Sequence, residues 1–152
     1  MPKEIMIRSM RFEDLDLVYK MERKLFPNPW PKVFFERDLE STNTVALVAE
    51  DEGKVIGYSL ATRANVECHI TNIAVDENYQ RQGIAIKLMA ELEQIANERG
   101  CTVAYLEVRT NNSAAVNLYN KLGYRIMYIR KQYYIDGDDA YVMHKELKAS
   151  NA

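Results

Sequence analysis

Residues 69–86 read HITNIAVDENYQRQGIAI, and this stretch decides the architecture. Its first part, His69 to Val75, is apolar and β-prone, the composition of a strand. A polar turn follows. From Gly83 to Arg99 runs the longest helical pattern in the chain, with Gly100 well placed to end it. The first N–H groups of such a helix have no intrahelical partner and carry positive partial charge. Gly83 and Ala85 have little side chain to block an approaching anion, and Arg81 adds a cation. Together they suit a pyrophosphate. The same pattern also fits a plain helix N-terminus with a convenient glycine. It is neither a P-loop nor a three-glycine dinucleotide fingerprint, because both patterns are absent.

Working outward, strands and helices alternate. Towards the C-terminus, Thr102 to Val108 reads as a strand and Ser113 to Leu122 as a helix, with Asn112 as N-cap and Gly123 past its end. Tyr124 to Arg130 and Asp139 to Lys145 make a closing pair of strands. Towards the N-terminus, Thr44 to Glu50 and Lys54 to Arg63 form a hairpin turning at Glu52-Gly53. Residues 5–9 are a short strand, and helical spacing runs from Phe12 to Phe26. Pro27, Pro29 and Pro31 then impose a stiff turn around Trp30, before a short helix over 32–40. The Phe26 to Trp30 turn either lines a pocket or caps the core. Helices in the middle and hairpins at both ends predict an α/β domain with a mixed sheet.

Composition narrows the function. At 152 residues the chain has the size of one domain, spanning 1–152, and needs no disulfide or metal staple. Lys and Arg number 20 against 22 Asp and Glu, a net charge of −2 that argues against nucleic acid or a polybasic membrane anchor. The apolar runs are too short to span a bilayer. Cys68 and Cys101 could pair only once, and read better as reduced, inert packing thiols of a cytoplasmic protein. The Cys and His spacings fit no zinc motif, and Asp136, Asp138 and Asp139 lack the downstream Glu of an EF-hand.

Two residues stand out from the apolar patterns around them. Glu107 is an isolated acid in the run Val103 to Val108: either the outward side of an exposed strand or a working carboxylate. Tyr119 by itself reads as a core aromatic of an amphipathic helix.

The run Asn72-Ile73-Ala74-Val75, the turn Gln80-x-x-Gly83-x-Ala85, then Leu106-Glu107-Val108-Arg109, Asn112 and Asn117-Leu118-Tyr119-x-x-Leu122-Gly123-Tyr124 resemble the GNAT superfamily of acyl-CoA N-acyltransferases. Within it the chain is most similar to RimI-type and archaeal protein N-terminal acetyltransferases, over about residues 5–147. The resemblance implies one GNAT domain: a central twisted mixed sheet, mostly antiparallel with a parallel central pair, flanked by helices. It implies acetyl-CoA as co-substrate, no metal, and acceptors that are the N-termini of proteins or peptides, a ribosomal protein's N-terminal alanine among them.

Residue by residue, Ile73, Ala74 and Val75 resemble the strand that pairs with the pantetheine arm. Arg81, Gln82, Gly83, Ile84, Ala85 and Ile86 match the pyrophosphate turn, and Asn112 a cofactor-contacting asparagine. Glu107 matches the general base and Tyr119 the acid that protonates the departing thiolate. Tyr133 and Tyr134 resemble the pair that holds the acceptor's backbone. His69 matches a histidine of archaeal relatives, either a proton relay through water or a structural strand residue. Asn28 stands where some relatives carry a specificity-determining glutamate, and with Trp30 it belongs to a segment closer to the bacterial F-P-W form. The acceptor preference is therefore open.

The chemistry agrees. An α-amino group has a pKa of about 7.7–8.0 and lysine about 10.4, so an N-terminus needs less help to lose its proton. One carboxylate acting through water suffices. A lysine side chain or small amine as acceptor, or an acetyl-CoA sensor without turnover, are the alternatives that the sequence leaves.

Overall fold

The computed structural model describes residues 4–147. β1 (Ile5–Ser9) leads through a 3-10 turn at Phe12–Asp14 into α1 (Leu15–Leu25), and α2 (Lys32–Glu40) follows the proline turn. Then come β2 (Thr44–Asp51), β3 (Lys54–Ala64), β4 (Glu67–Val75), α3 (Ile84–Glu98), β5 (Val103–Arg109), α4 (Ser113–Lys121), β6 (Arg125–Arg130) and β7 (Ala140–Glu146). The expected mixed α/β architecture is present, and the turn residues explain its punctuation. Glu52 and Gly53 both adopt positive φ at the hairpin turn, and Gly100 and Gly123 do so past the ends of α3 and α4.

The strands form one seven-stranded sheet in the order β1-β2-β3-β4-β5-β7-β6. The last strand in sequence thus inserts between β5 and β6. Every neighbouring pair is antiparallel except β4 and β5. That parallel pair is short: Glu67, Cys68 and His69 oppose Val103, Ala104 and Tyr105, and the pairing ends there. β4 continues to Val75 and β5 to Arg109, each still paired on its other side, to β3 and β7. The two strands therefore part, and a cleft opens between them.

Two cores hold this frame. On one face α3 and α4 lay Leu88, Met89, Leu92 and Tyr119 against Ile56, Leu106 and Met143. On the other, α1 and α2 lay Val18 and Phe35 against Val48, Tyr58 and Leu60. Gly57 lets α3 come close: a Cβ there would stand 3.0 Å from the Ala74 carbonyl and 3.3 Å from Leu88 Cδ1. Cys68 and Cys101 are both buried free thiols, and burial pushes Cys68 up to about 12, so it stays protonated.

Candidate active site

A cavity of about 610 Å3 occupies the mouth of the cleft. One wall comes from the end of α1 and the proline turn (Leu25, Phe26, Asn28, Trp30), the other from β5 and the loop after β6 (Glu107, Arg109, Tyr134). Ile73 of β4, with Asn112 and Tyr119 of α4, closes the remaining side. Seven residues singled out in the sequence therefore meet in one place: Asn28, Trp30, Ile73, Glu107, Asn112, Tyr119 and Tyr134. Trp30 both lines the pocket and caps the core, packing 5.8 Å from Phe34 and 5.5 Å from Phe35, ring centre to ring centre.

Glu107 stands beside the point where β4 and β5 separate. Its side chain is 8% exposed. His69 Nε2 lies 2.8 Å from Oε1 and 3.1 Å from Oε2, and the Tyr133 hydroxyl donates to Oε1 at 3.1 Å. The His69 ring is held by stacking on Tyr105, centroids 4.5 Å apart and planes within 3°. Burial alone would raise the Glu107 pKa. The His69 bond and charge, the Tyr133 bond and the Arg130 charge outweigh it and hold the carboxyl below the usual range. Glu107 is consequently a carboxylate at neutral pH, ready to accept a proton.

Tyr119 is its chemical opposite. Burial pushes its hydroxyl up to about 12. It keeps its proton throughout the neutral range and is available as a donor. Tyr134 is likewise pushed up to about 12 by burial, against the opposing charge of Arg109, whose guanidinium lies 4.0 Å from the ring centroid. Arg109 also reaches Asp136 and Asp138 at 2.9 Å, fixing the loop that carries Tyr133 and Tyr134.

The residues expected at the pyrophosphate end lie outside this cavity, at the N-terminus of α3. Arg81 and Gly83 take positive φ values of 64° and 79°. Gly83 is the N-cap, and a Cβ built there would meet nothing within 4 Å, so the approach to the helix amides is open. Gln80 ties the turn to the end of β4, its amide donating to the Val75 carbonyl at 3.0 Å. Ala74 and Val75 turn their side chains into the two cores, leaving their backbone to face the cleft-side edge of β4. Asn112 caps α4 by accepting from the Ala115 amide at 3.1 Å. Among the described residues, no group of three or more His, Cys, Asp or Glu is placed to hold a metal ion.

Sequence reasoning gave no role to Glu22, which lines the same cavity while being only 2% exposed. Its signal was present: an acid on the apolar face of α1, in step with Leu15 and Val18. The Tyr58 hydroxyl that bonds it lies in a β3 run with no polar pattern to announce it.

Comparison with known proteins accords with this geometry. Residues 15–124 match the acetyltransferase (GNAT) family. The chain is 36% identical over 155 residues to an N-alpha-acetyltransferase of Sulfurisphaera tokodaii, covering 93% of this chain and 92% of that protein. It is 35% identical over 149 residues to the N-alpha-acetyltransferase RimI of Mycobacterium tuberculosis, covering 93% and 92%. The crystal structure of the ribosomal-protein-S18-alanine N-acetyltransferase from Escherichia coli superposes with a TM-score of 0.88 at 30% identity, covering 98% of this chain and 99% of that one. The chain belongs to the GNAT acetyltransferase family.

Proposed function

We propose that this GNAT acetyltransferase transfers acetyl from acetyl-CoA to the free α-amino group of protein N-termini, by direct attack within a ternary complex. The observation that carries the reading is the pairing in one cleft of an ionised Glu107, anchored by His69 and Tyr133, with a protonated Tyr119. The relatives named for N-alpha-acetylation supply the acceptor class.

The donor fits the half of the cleft built from backbone. Over Ile73–Val75 the β5-side edge of β4 has no strand partner among the described residues, so an extended amide-bearing arm can add to it as a strand would. Arg81, Gln82, Gly83, Ile84, Ala85 and Ile86 offer the helix N-terminus to the pyrophosphate, and Asn112 stands at the entry of α4. The acceptor takes the half built from side chains, between Asn28 and Trp30 on one wall and Tyr133 and Tyr134 on the other.

A neutral α-amine attacks the thioester carbonyl carbon, and the new N–C bond forms as the C–S bond breaks. Glu107 receives the amine proton, directly or through water. Tyr119 gives its proton to the departing sulfur, a thiolate of pKa about 8.5 when free. His69, bonded to both carboxylate oxygens, orients Glu107 and offers the proton a way out. Because the acceptor amine titrates at about 7.7–8.0, a weak base such as a depressed carboxylate meets the demand at an N-terminus. Lysine, at about 10.4, asks for on the order of 3 kcal/mol more. The E. coli neighbour is a ribosomal-protein-S18-alanine N-acetyltransferase, which makes alanine the first acceptor to try. The reading places the enzyme in the cytoplasm, where N-termini are made; no helix among the described residues is long and apolar enough to cross a membrane.

A Glu107→Gln, Tyr119→Phe double variant tests the roles. Loss of turnover with acetyl-CoA binding retained is the expected result; full turnover would refute the assignment.

A further inference from the structure

Glu22 is a buried carboxylate outside the reaction just described. It lies one helical turn before the end of α1. Its Oε1 accepts from the Tyr58 hydroxyl at 2.6 Å and from Asn72 Nδ2 at 3.1 Å, and its Oε2 accepts from the Trp30 backbone amide at 3.0 Å. None of these donors is a cation. A carboxylate this buried is costly unless its hydrogen bonds are supplied, and here two neighbouring strands and the proline turn supply them.

The Trp30 bond is the informative one. The segment Phe26–Pro31 contains Pro27, Pro29 and Pro31, which have no amide hydrogen. Few amides remain by which this turn can be fixed to the scaffold. Two of them end on Glu22: the Phe26 amide donates to its backbone carbonyl at 3.0 Å, and the Trp30 amide to its carboxylate. Tyr58 on β3 and Asn72 on β4 hold that carboxylate from the sheet side, and Tyr58 is itself packed edge-on against Phe35 of α2. One side chain thus ties the wall carrying Phe26, Asn28 and Trp30 to the strands that form the floor of the cleft.

We propose that Glu22 is a positioning residue for the acceptor: a hydrogen-bonded latch that sets the proline turn at the spacing from Glu107 that an acceptor N-terminus requires. This rests on the acceptor binding between those walls, as proposed above. The latch works through hydrogen bonds to the turn and the sheet rather than through charge on the amine. Glutamine can reproduce it: its carbonyl accepts from Trp30, and its amide donates to the Tyr58 oxygen and to a flipped Asn72 amide. Alanine cannot, and it leaves the buried Tyr58 and Asn72 donors and the part-buried Trp30 amide without this acceptor.

Two measurements on the intact chain test this. Steady-state kinetics with an N-terminal alanine peptide should show the peptide KM raised roughly tenfold in Glu22→Ala, the effect of a lost buried partner, with the acetyl-CoA KM within about twofold of wild type. Glu22→Gln should restore the peptide KM. Tyr58→Phe, which keeps the ring and folds if Glu22→Ala does not, should raise it roughly threefold. Amide exchange over residues 26–31 reads the latch without any acceptor: Trp30 should lose protection in Glu22→Ala and keep it in Glu22→Gln. An unchanged peptide KM with unchanged Trp30 exchange in Glu22→Ala and Tyr58→Phe would overturn the proposal. So would a Glu22→Gln variant as impaired as Glu22→Ala, which would assign the role to the charge. If no peptide N-terminus is acetylated even by wild type, the acceptor reading fails while the exchange result still decides the latch.

Discussion

The sheet is sheltered on both faces over β2–β4, on one face over β5 and β7, and on neither along the edge strand β6, and the chemistry sits at the boundary. In β3, seven consecutive residues from Val55 to Ala61 are buried, because α3 covers one side and α1 with α2 the other. In β5, buried Ala104, Leu106 and Val108 alternate with half-buried Tyr105, Glu107 and Arg109. In β6 every residue is exposed. A carboxylate needs partial burial to be held in place and an open side to meet its substrate. Glu107 has both because it lies on the uncovered face, two residues past the last β4–β5 pair. Glu22, on the sheltered side, is closed in by three donors and serves position instead.

If that contrast is right, stability and activity should fall apart under mutation. The largest effect belongs to the sheltered half: Leu88→Ala, at a fully buried site on the sheet-facing side of α3, should destabilise the fold by about 2–5 kcal/mol, read as a shifted denaturant midpoint. Glu107→Gln should move that midpoint much less while lowering kcat at least ~100-fold, a transition-state loss of about 2.7 kcal/mol. Similar stability losses at both sites would break the comparison.

His69→Gln should lower kcat roughly tenfold and move the acid limb of the kcat–pH profile upward. The sign follows from Glu107. In the wild type its carboxyl lies below the usual range, so Glu107 stays an ionised base until the pH falls through that low value. Without the histidine, burial is opposed less, the carboxyl protonates at higher pH, and the limb rises. The stability that ionised Glu107 contributes is present above its unfolded value of about 4.3 and is lost as pH falls through its folded one, so the variant should gain less from it. An unmoved limb would separate His69 from Glu107. The smallest effect should be that of Ile129→Ser on exposed β6, within about 0.5 kcal/mol of wild type.

Much of this was legible in the residues. Glycine and proline placed the turns at Gly53, Gly100 and Gly123 and the break after α1, because the backbone physics of those residues is local. The strand order was not, since insertion of β7 between β5 and β6 is decided by packing between distant segments. For the site, pattern brought Glu107 to notice and the family resemblance added Tyr119, Asn112 and Asn28, and the structure puts them in one cavity. It could not show whether Glu107 faced solvent or the cleft, because an alternating strand fits both. Nor did it announce that Glu22, Tyr58 and Asn72 meet: they lie 36 and 50 residues apart along the chain, and a buried acid reveals its partners only in three dimensions.

The central claim is acetylation of α-amines, and thiol release from acetyl-CoA with paired peptides tests it most directly. One set would carry free N-termini beginning Ala, Ser, Met or Glu; the other would be N-blocked with an internal lysine. Turnover confined to the free N-termini, with Glu107→Gln lowering it at least ~100-fold, is the predicted result. Turnover on the blocked peptide at a comparable rate would contradict it.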